Sequence, residues 1–295
     1  MGAFLGTSNT LLLQMTTAER RNRILGFSST LNLFGFGLGP VLGGVWQRAL
    51  PGDPMRAPFA VLVVTLAAAF LTLLSIDAGR EGTGVRTRPA IRLGIPVSGR
   101  ALFWGVVGPA VFTGFAFGGI AFALLPGLAR SAFGSAGQGL GGLLVFMMTT
   151  VGALAQFIPS PADSRTRLAW AIGMLGLGGW VMVVGEWRAQ PLLIIAGALL
   201  QGIGNGWGFQ ASLRLAGEVA VQGDRIQVMS TYFLCGYAGL SLPVVAAGEL
   251  SRAIGVLPSV EITSAFLTVL LVAAFAFLRR AGGGVAARES LGESG

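Results

Sequence analysis

GFGLGPVLGGVW, residues 35–46, sets five glycines and a proline inside an apolar run. In water these are the poorest helix formers, weakening a helix interior by about 1 kcal/mol for Gly and about 3 kcal/mol for Pro. In hydrocarbon the balance differs, because small residues let helices approach closely and neighbouring groups satisfy a carbonyl that proline leaves free. Asn32, Gly35, Gly39 and Gly43 fall within about 80° of arc at 100° per residue. The three glycines form two overlapping small-xxx-small steps, and Pro40 frees the Phe36 carbonyl and favours a bend. The stretch, completed by Gly44, predicts a close-packed, bendable membrane helix whose Asn32 faces a polar cavity.

The rest of the chain agrees with a membrane setting. Its 295 residues are 53% hydrophobic and 11% charged, against about 25% charged in a soluble protein, and the mean hydropathy is +0.75. Eight apolar blocks, 24–46, 57–77, 101–126, 138–158, 168–186, 190–213, 227–249 and 258–278, reach or approach the length needed to span, about 20 residues for a hydrocarbon core of about 30 Å. A ninth, residues 1–15, is shorter. None alternates at period two as a membrane β-strand would. The expected fold is therefore an all-α polytopic membrane protein with about nine segments, three before a long loop and six after it.

Net charge is +8, but its placement argues for topology and against nucleic acid. All twenty basic residues are Arg, and fifteen fall in alternate loops: 16–23, 80–100, 159–167, 214–226 and the C-terminal tail. The positive-inside rule makes those loops cytoplasmic. The expected organisation is a partial N-terminal bundle over 1–77, a cytoplasmic linker over 78–100, a six-helix bundle over 101–279 and a disordered cytoplasmic tail over 280–295. With no histidine and the single cysteine Cys235, imidazole and multi-thiolate metal sites are excluded, and no catalytic arrangement or cofactor motif is visible.

Transport needs a polar cavity and mobile helices. In 190–213, Gln201, Asn205 and Ser212 share about 40° of arc, which suits either a cavity wall or hydrogen bonds between helices. In 227–249, Tyr237 lies deeper than an interface anchor would and is a substrate-binding candidate. The acidic residues lie in loops or near helix ends, with Glu186 and Glu249 at outer ends, so proton coupling through a deep carboxylate is unsupported. A weak internal repeat pairs Arg21 with Arg225, Gly35 with Gly239, Pro40 with Pro243 and Gly44 with Gly248.

The pattern Gly35-x-x-x-Gly39-Pro40-x-x-Gly43-Gly44, preceded by Glu19-Arg20-Arg21-Asn22-Arg23 and followed by the basic linker, resembles the drug:proton antiporters of the major facilitator superfamily. The resemblance implies helices four to six before the linker and seven to twelve after it, so that three helices of an expected twelve are missing. It implies an efflux-type secondary transporter in a bacterial inner membrane, with a small-molecule substrate and its C-terminus in the cytoplasm. The family's loop motif between helices two and three is absent, and Ala162-Asp163-Ser164-Arg165-Thr166-Arg167 is either a faint second copy of it or a solvated charged loop. The other class of function is a non-transporting membrane scaffold or assembly factor with a transporter-like fold, or an inactive fragment.

Overall fold

The computed structural model describes residues 56–75, 93–134, 137–158, 162–220 and 224–292, together with isolated helical positions between 31 and 45. The motifs before residue 31, most of the linker, and Asn32, Pro40 and Gly44 lie outside the described residues. Every described element is helical: α1 Arg56–Ser75, α2 Gly108–Phe133, α3 Gly137–Ala155, α4 Ser164–Trp187, α5 Pro191–Val219, α6 Arg225–Ile254 and α7 Val256–Gly292. Five segments are long and apolar enough to cross a membrane: Val97–Leu125, Ser164–Trp187, Pro191–Val219, Gln227–Ile254 and Pro258–Arg280. Phe59–Ser75 and Leu140–Ala155 are shorter apolar helices.

Short connections set α2 and α3, α4 and α5, and α6 and α7 as antiparallel neighbours. The turn between α4 and α5 is Arg188–Gln190, with Ala189 at φ 48°, and Gly255 at φ 92° alone separates α6 from α7. Before α2 the chain enters through a 3-10 turn, Val97–Gly99, one α turn and a π-helical stretch, Phe103–Val107. Pro109 has no N–H to offer the Gly105 carbonyl, and such a defect is commonly absorbed by a local change of helical register. Polar side chains in apolar helices bond their own backbone: Thr65 donates to the Val61 carbonyl, Thr149 to Val145 and Thr263 to Ser259. That pairing removes the cost of an orphaned hydroxyl in lipid.

What brings the helices together is backbone against backbone. On α5, Gly202 and Gly206 face the Met148 and Gly152 carbonyls of α3, where even a methyl group would overlap. On the opposite side of the same helix, Gly197 and Gly204 face the Gly178 carbonyl and the Leu175 amide of α4. Thus α5 is clasped between α3 and α4. The same device joins α2 and α6, where Gly239 lies on the Phe112 backbone and Gly119 on the Leu240 carbonyl.

Three expectations change here. Gly35, Gly39 and Gly43 have nothing within 4 Å of where a Cβ would stand. The close approach is made instead by Gly37, buried against Phe146 and Thr149 of α3, with Phe34 edge-on to Phe146 at 5.4 Å between ring centroids. Spacing found a glycine stripe, but Gly37 lies about 160° round the helix from Gly35. The suggested repeat fares similarly: Gly239 is in tight contact while Gly35 is not, and Gly248 also meets nothing. Helical backbone also continues to Gly292, through the 280–295 stretch whose composition predicts an irregular tail; its Ala, Arg and Glu are good helix formers.

Overpacking this seam is testable. Gly206→Ala places a methyl on the Gly152 carbonyl and is expected to cost about 1–3 kcal/mol, read as a lowered unfolding temperature in detergent. Gly173→Ala, at a position with nothing within 4 Å, is expected to leave that temperature unchanged.

Candidate functional site

The polar stripe on α5 divides among three tasks. Ser212 is 1% exposed, and its hydroxyl pairs with that of Tyr232 on α6 at 2.9 Å while lying 3.2 Å from the Phe209 carbonyl. It is a clasp between helices with no group left for a solute. Asn205 donates from Nδ2 to the Gly114 carbonyl of α2 at 3.2 Å. The crevice beside it, walled by Ala110, Phe115 and Leu168, measures about 10 Å³, room for about one water.

Gln201 differs. It is 5% exposed and lines a cavity of about 100 Å³. Phe117 of α2, Met182 and Glu186 of α4, and Val260 and Ser264 of α7 complete the wall. The Gln201 Oε1 is buried with no hydrogen-bond partner, which costs about 1–3 kcal/mol unless a water or ligand group meets it. Gly178 and Gly179 let α4 approach closely enough to frame this carboxamide, since a Cβ on Gly179 would stand 2.8 Å from Phe117 Cε1 and 3.3 Å from Gln201 Nε2. Ligand pockets for drug-sized molecules run to about 300–1,000 Å³, so this cavity suits a small group.

Of the other candidates, Tyr237 is half-buried on α6 and meets Phe115 edge-on at 6.2 Å, away from the Gln201 cavity. Gly35, Gly39 and Gly43 line no described contact. Sequence reasoning placed Glu186 only at a helix end and missed Ser264. The signal was present: Gly179, Met182, Val183 and Glu186 fall at i, i+3, i+4 and i+7 on α4, one face of a helix, and Val260 and Ser264 fall at i, i+4 on α7.

A second polar cluster sits at the other end of α4. Asp163 caps that helix, accepting from the Thr166 amide at 3.2 Å. Arg167, 4% exposed, donates from Nη2 to the Ala155 and Ile158 carbonyls at 3.2 and 3.1 Å. Trp207 of α5 donates from Nε1 to the same Ala155 carbonyl at 2.8 Å, and its ring lies 5.4 Å from the guanidinium carbon. Gln210 donates to the Gln156 carbonyl at 3.1 Å. The last carbonyls of α3, which have no partner within their own helix, are thus satisfied from α4 and α5, and the cation sits at the negative end of the helix dipole. The Ala162–Arg167 stretch is therefore more than a solvated loop.

No family model, curated protein or solved structure matches the chain. Among the described residues no group of three or more His, Cys, Asp or Glu side chains is placed to hold a metal.

Two outcomes follow from the cap. Arg167→Met strands the Ile158 carbonyl and leaves that of Ala155 to the Trp207 indole and the Ile158 amide, and we expect a loss on the order of 1–3 kcal/mol in detergent unfolding, only partly recovered by Arg167→Lys, which lacks the planar fork. Hydrogen bonding from Thr166 holds the Asp163 carboxyl below the ordinary carboxylate range. Its contribution is therefore complete above the unfolded-state value and lost as pH falls through the folded one. Asp163→Asn keeps the cap and is expected to remove that part of the acid dependence, measured as unfolding temperature against pH.

Proposed function

We propose that the chain is the helical body of a secondary transporter that carries a small organic solute across a bacterial inner membrane by alternating access, with efflux as its direction. The observation that carries the reading is the cavity around Gln201, set between four helices, whose mainly apolar wall holds Gln201, Glu186 and Ser264 as its polar members. A buried amide with an unpartnered oxygen is costly in a membrane interior and marks a place where a polar guest is accommodated. The helices around it approach through glycine, so they have few interlocking side chains to hinder sliding or rocking.

The finer parts of the proposal rest on the sequence. Arg100, Arg165, Arg167, Arg214, Arg225, Arg279 and Arg280 lie at one set of helix ends, and Arg130, Arg188 and Arg252 at the other. That asymmetry supports a cytoplasmic C-terminus. The resemblance of the 35–44 motif supports a major-facilitator arrangement with nine of twelve segments present. The Arg167 cluster would hold the cytoplasmic ends of α3, α4 and α5 as one body during rocking.

One observation favours the second reading, a membrane scaffold. Phe59–Ser75 of α1 is exposed at every position, an apolar face on all sides that suits a partner helix as well as lipid.

Purified chain reconstituted in liposomes decides between them. We expect uptake or release of small organic solutes above protein-free vesicles, reduced at least tenfold by Gln201→Leu without a change in unfolding temperature. Absence of flux with or without a pH gradient, together with a stoichiometric membrane partner retained on purification, would instead establish the scaffold.

A further inference from the structure

Both ends of one buried carboxamide lack partners, and from that we propose that the Gln201 cavity takes a small neutral molecule headed by a primary carboxamide. This rests on the transporter reading only in calling the guest a substrate. Glu186, the one ionisable group among the described wall residues, is already engaged, which leaves hydrogen bonding as the unmet need of the wall. That need is Gln201's. Its Oε1 is buried with no donor, and among the described residues no acceptor is hydrogen-bonded to its Nε2.

The neighbouring backbone holds that carboxamide in place. A Cβ on Gly178 would stand 2.9 Å from Gln201 Cγ, and one on Gly179 would stand 3.3 Å from Nε2. These bare glycines of α4 therefore seat the stem and the head of the side chain, leaving little rotamer freedom to lose on binding. A primary carboxamide carries a carbonyl acceptor beside an N–H donor, the same pair at the same spacing that Gln201 presents. The two match head to head: the guest carbonyl accepts from Nε2 while its amide donates to Oε1, whichever way round the Gln201 head is turned. An alcohol reaches one end at a time, and a ketone has no donor for Oε1. A carboxylate also lacks that donor and brings a charge that is costly to desolvate against an apolar wall. Ser264 of α7, 5% exposed, adds a hydroxyl to the cavity. Phe117, Leu124, Met182 and Val260 are apolar and receive a short alkyl tail, whose length the volume of about 100 Å³ limits.

The test is calorimetric titration of propionamide into the full chain in lipid nanodiscs, with empty nanodiscs as the blank. Butanone, the same shape without the donor, and sodium propionate, the same shape with an anionic head, are run beside it. We expect saturable binding of propionamide, tighter than that of butanone by about tenfold or more, and no binding of propionate. Gln201→Met keeps the length of the side chain and removes both polar ends, and is expected to weaken propionamide by about tenfold or more. Unfolding temperatures are measured alongside; where that variant unfolds, Ser264→Leu, which fills the cavity from α7, is expected to abolish binding. The proposal is overturned if propionamide shows no saturable binding, which leaves water as the occupant, or if butanone or propionate binds as tightly. Folded Gln201→Met binding propionamide as tightly as the parent overturns it too. No gradient is imposed, so the two readings fail separately. Gln201-dependent binding without flux removes the transporter and leaves the site, whereas flux of other solutes without propionamide binding removes this guest and leaves the transporter.

Discussion

A helix in hydrocarbon gains nothing from hiding apolar side chains against another helix, because lipid is equally apolar. Association must come from close packing and from polar groups that have no other partner. Both appear on α5. Its glycines at 197, 202, 204 and 206 admit the backbones of α3 and α4, and its Asn205, Trp207, Gln210 and Ser212 bond to α2, to the end of α3 and to α6. The cavity exists because one polar member of that set, Gln201, faces a gap where its neighbours find a partner. The bundle and its candidate site are two results of one helix being rich in both glycine and amide.

The ends of the bundle follow from the same constraint. A helix leaves its last carbonyls unpaired, and at a membrane boundary they need donors from elsewhere. Arg167 and Trp207 supply them to α3, tying three helices at one point. At the opposite end carboxylates and arginines are mixed: Glu261 accepts from Trp187, next to Glu186, and Glu249 pairs with Arg252. The chain therefore differs along its helices, basic and capped at one end, mixed in charge and hollow at the other.

Much of this was legible in the sequence and part was not. Hydropathy placed the five apolar spans to within about six residues at either end, because a run of about 20 apolar residues has few other uses. The α5 stripe was found by spacing, and Gln201, Asn205 and Ser212 do face inward together. Their division of labour was hidden, since it depends on what Gly114, Tyr232 and Glu186 bring from other helices. Glycine was the least legible residue. Among the described residues Gly35, Gly39 and Gly43 make a regular stripe with nothing packed on it, while Gly37 between them packs on α3; a missing side chain permits contact, and only the neighbouring helix decides whether it happens. Arg167 was read as part of either a second copy of the loop motif or a solvated charged loop, because its acceptors, the carbonyls of Ala155 and Ile158, carry no sequence signal.

The account stands on α4 spanning a bilayer, with its Asp163-capped end and its Glu186 end on opposite faces. Single cysteines at Ala162 and Gln190, in a Cys235→Ser background, test this with a membrane-impermeant thiol reagent on sealed vesicles of known orientation. The account predicts that one cysteine is labelled only from outside and the other only after the vesicles are opened. Labelling of both from the same side would contradict it.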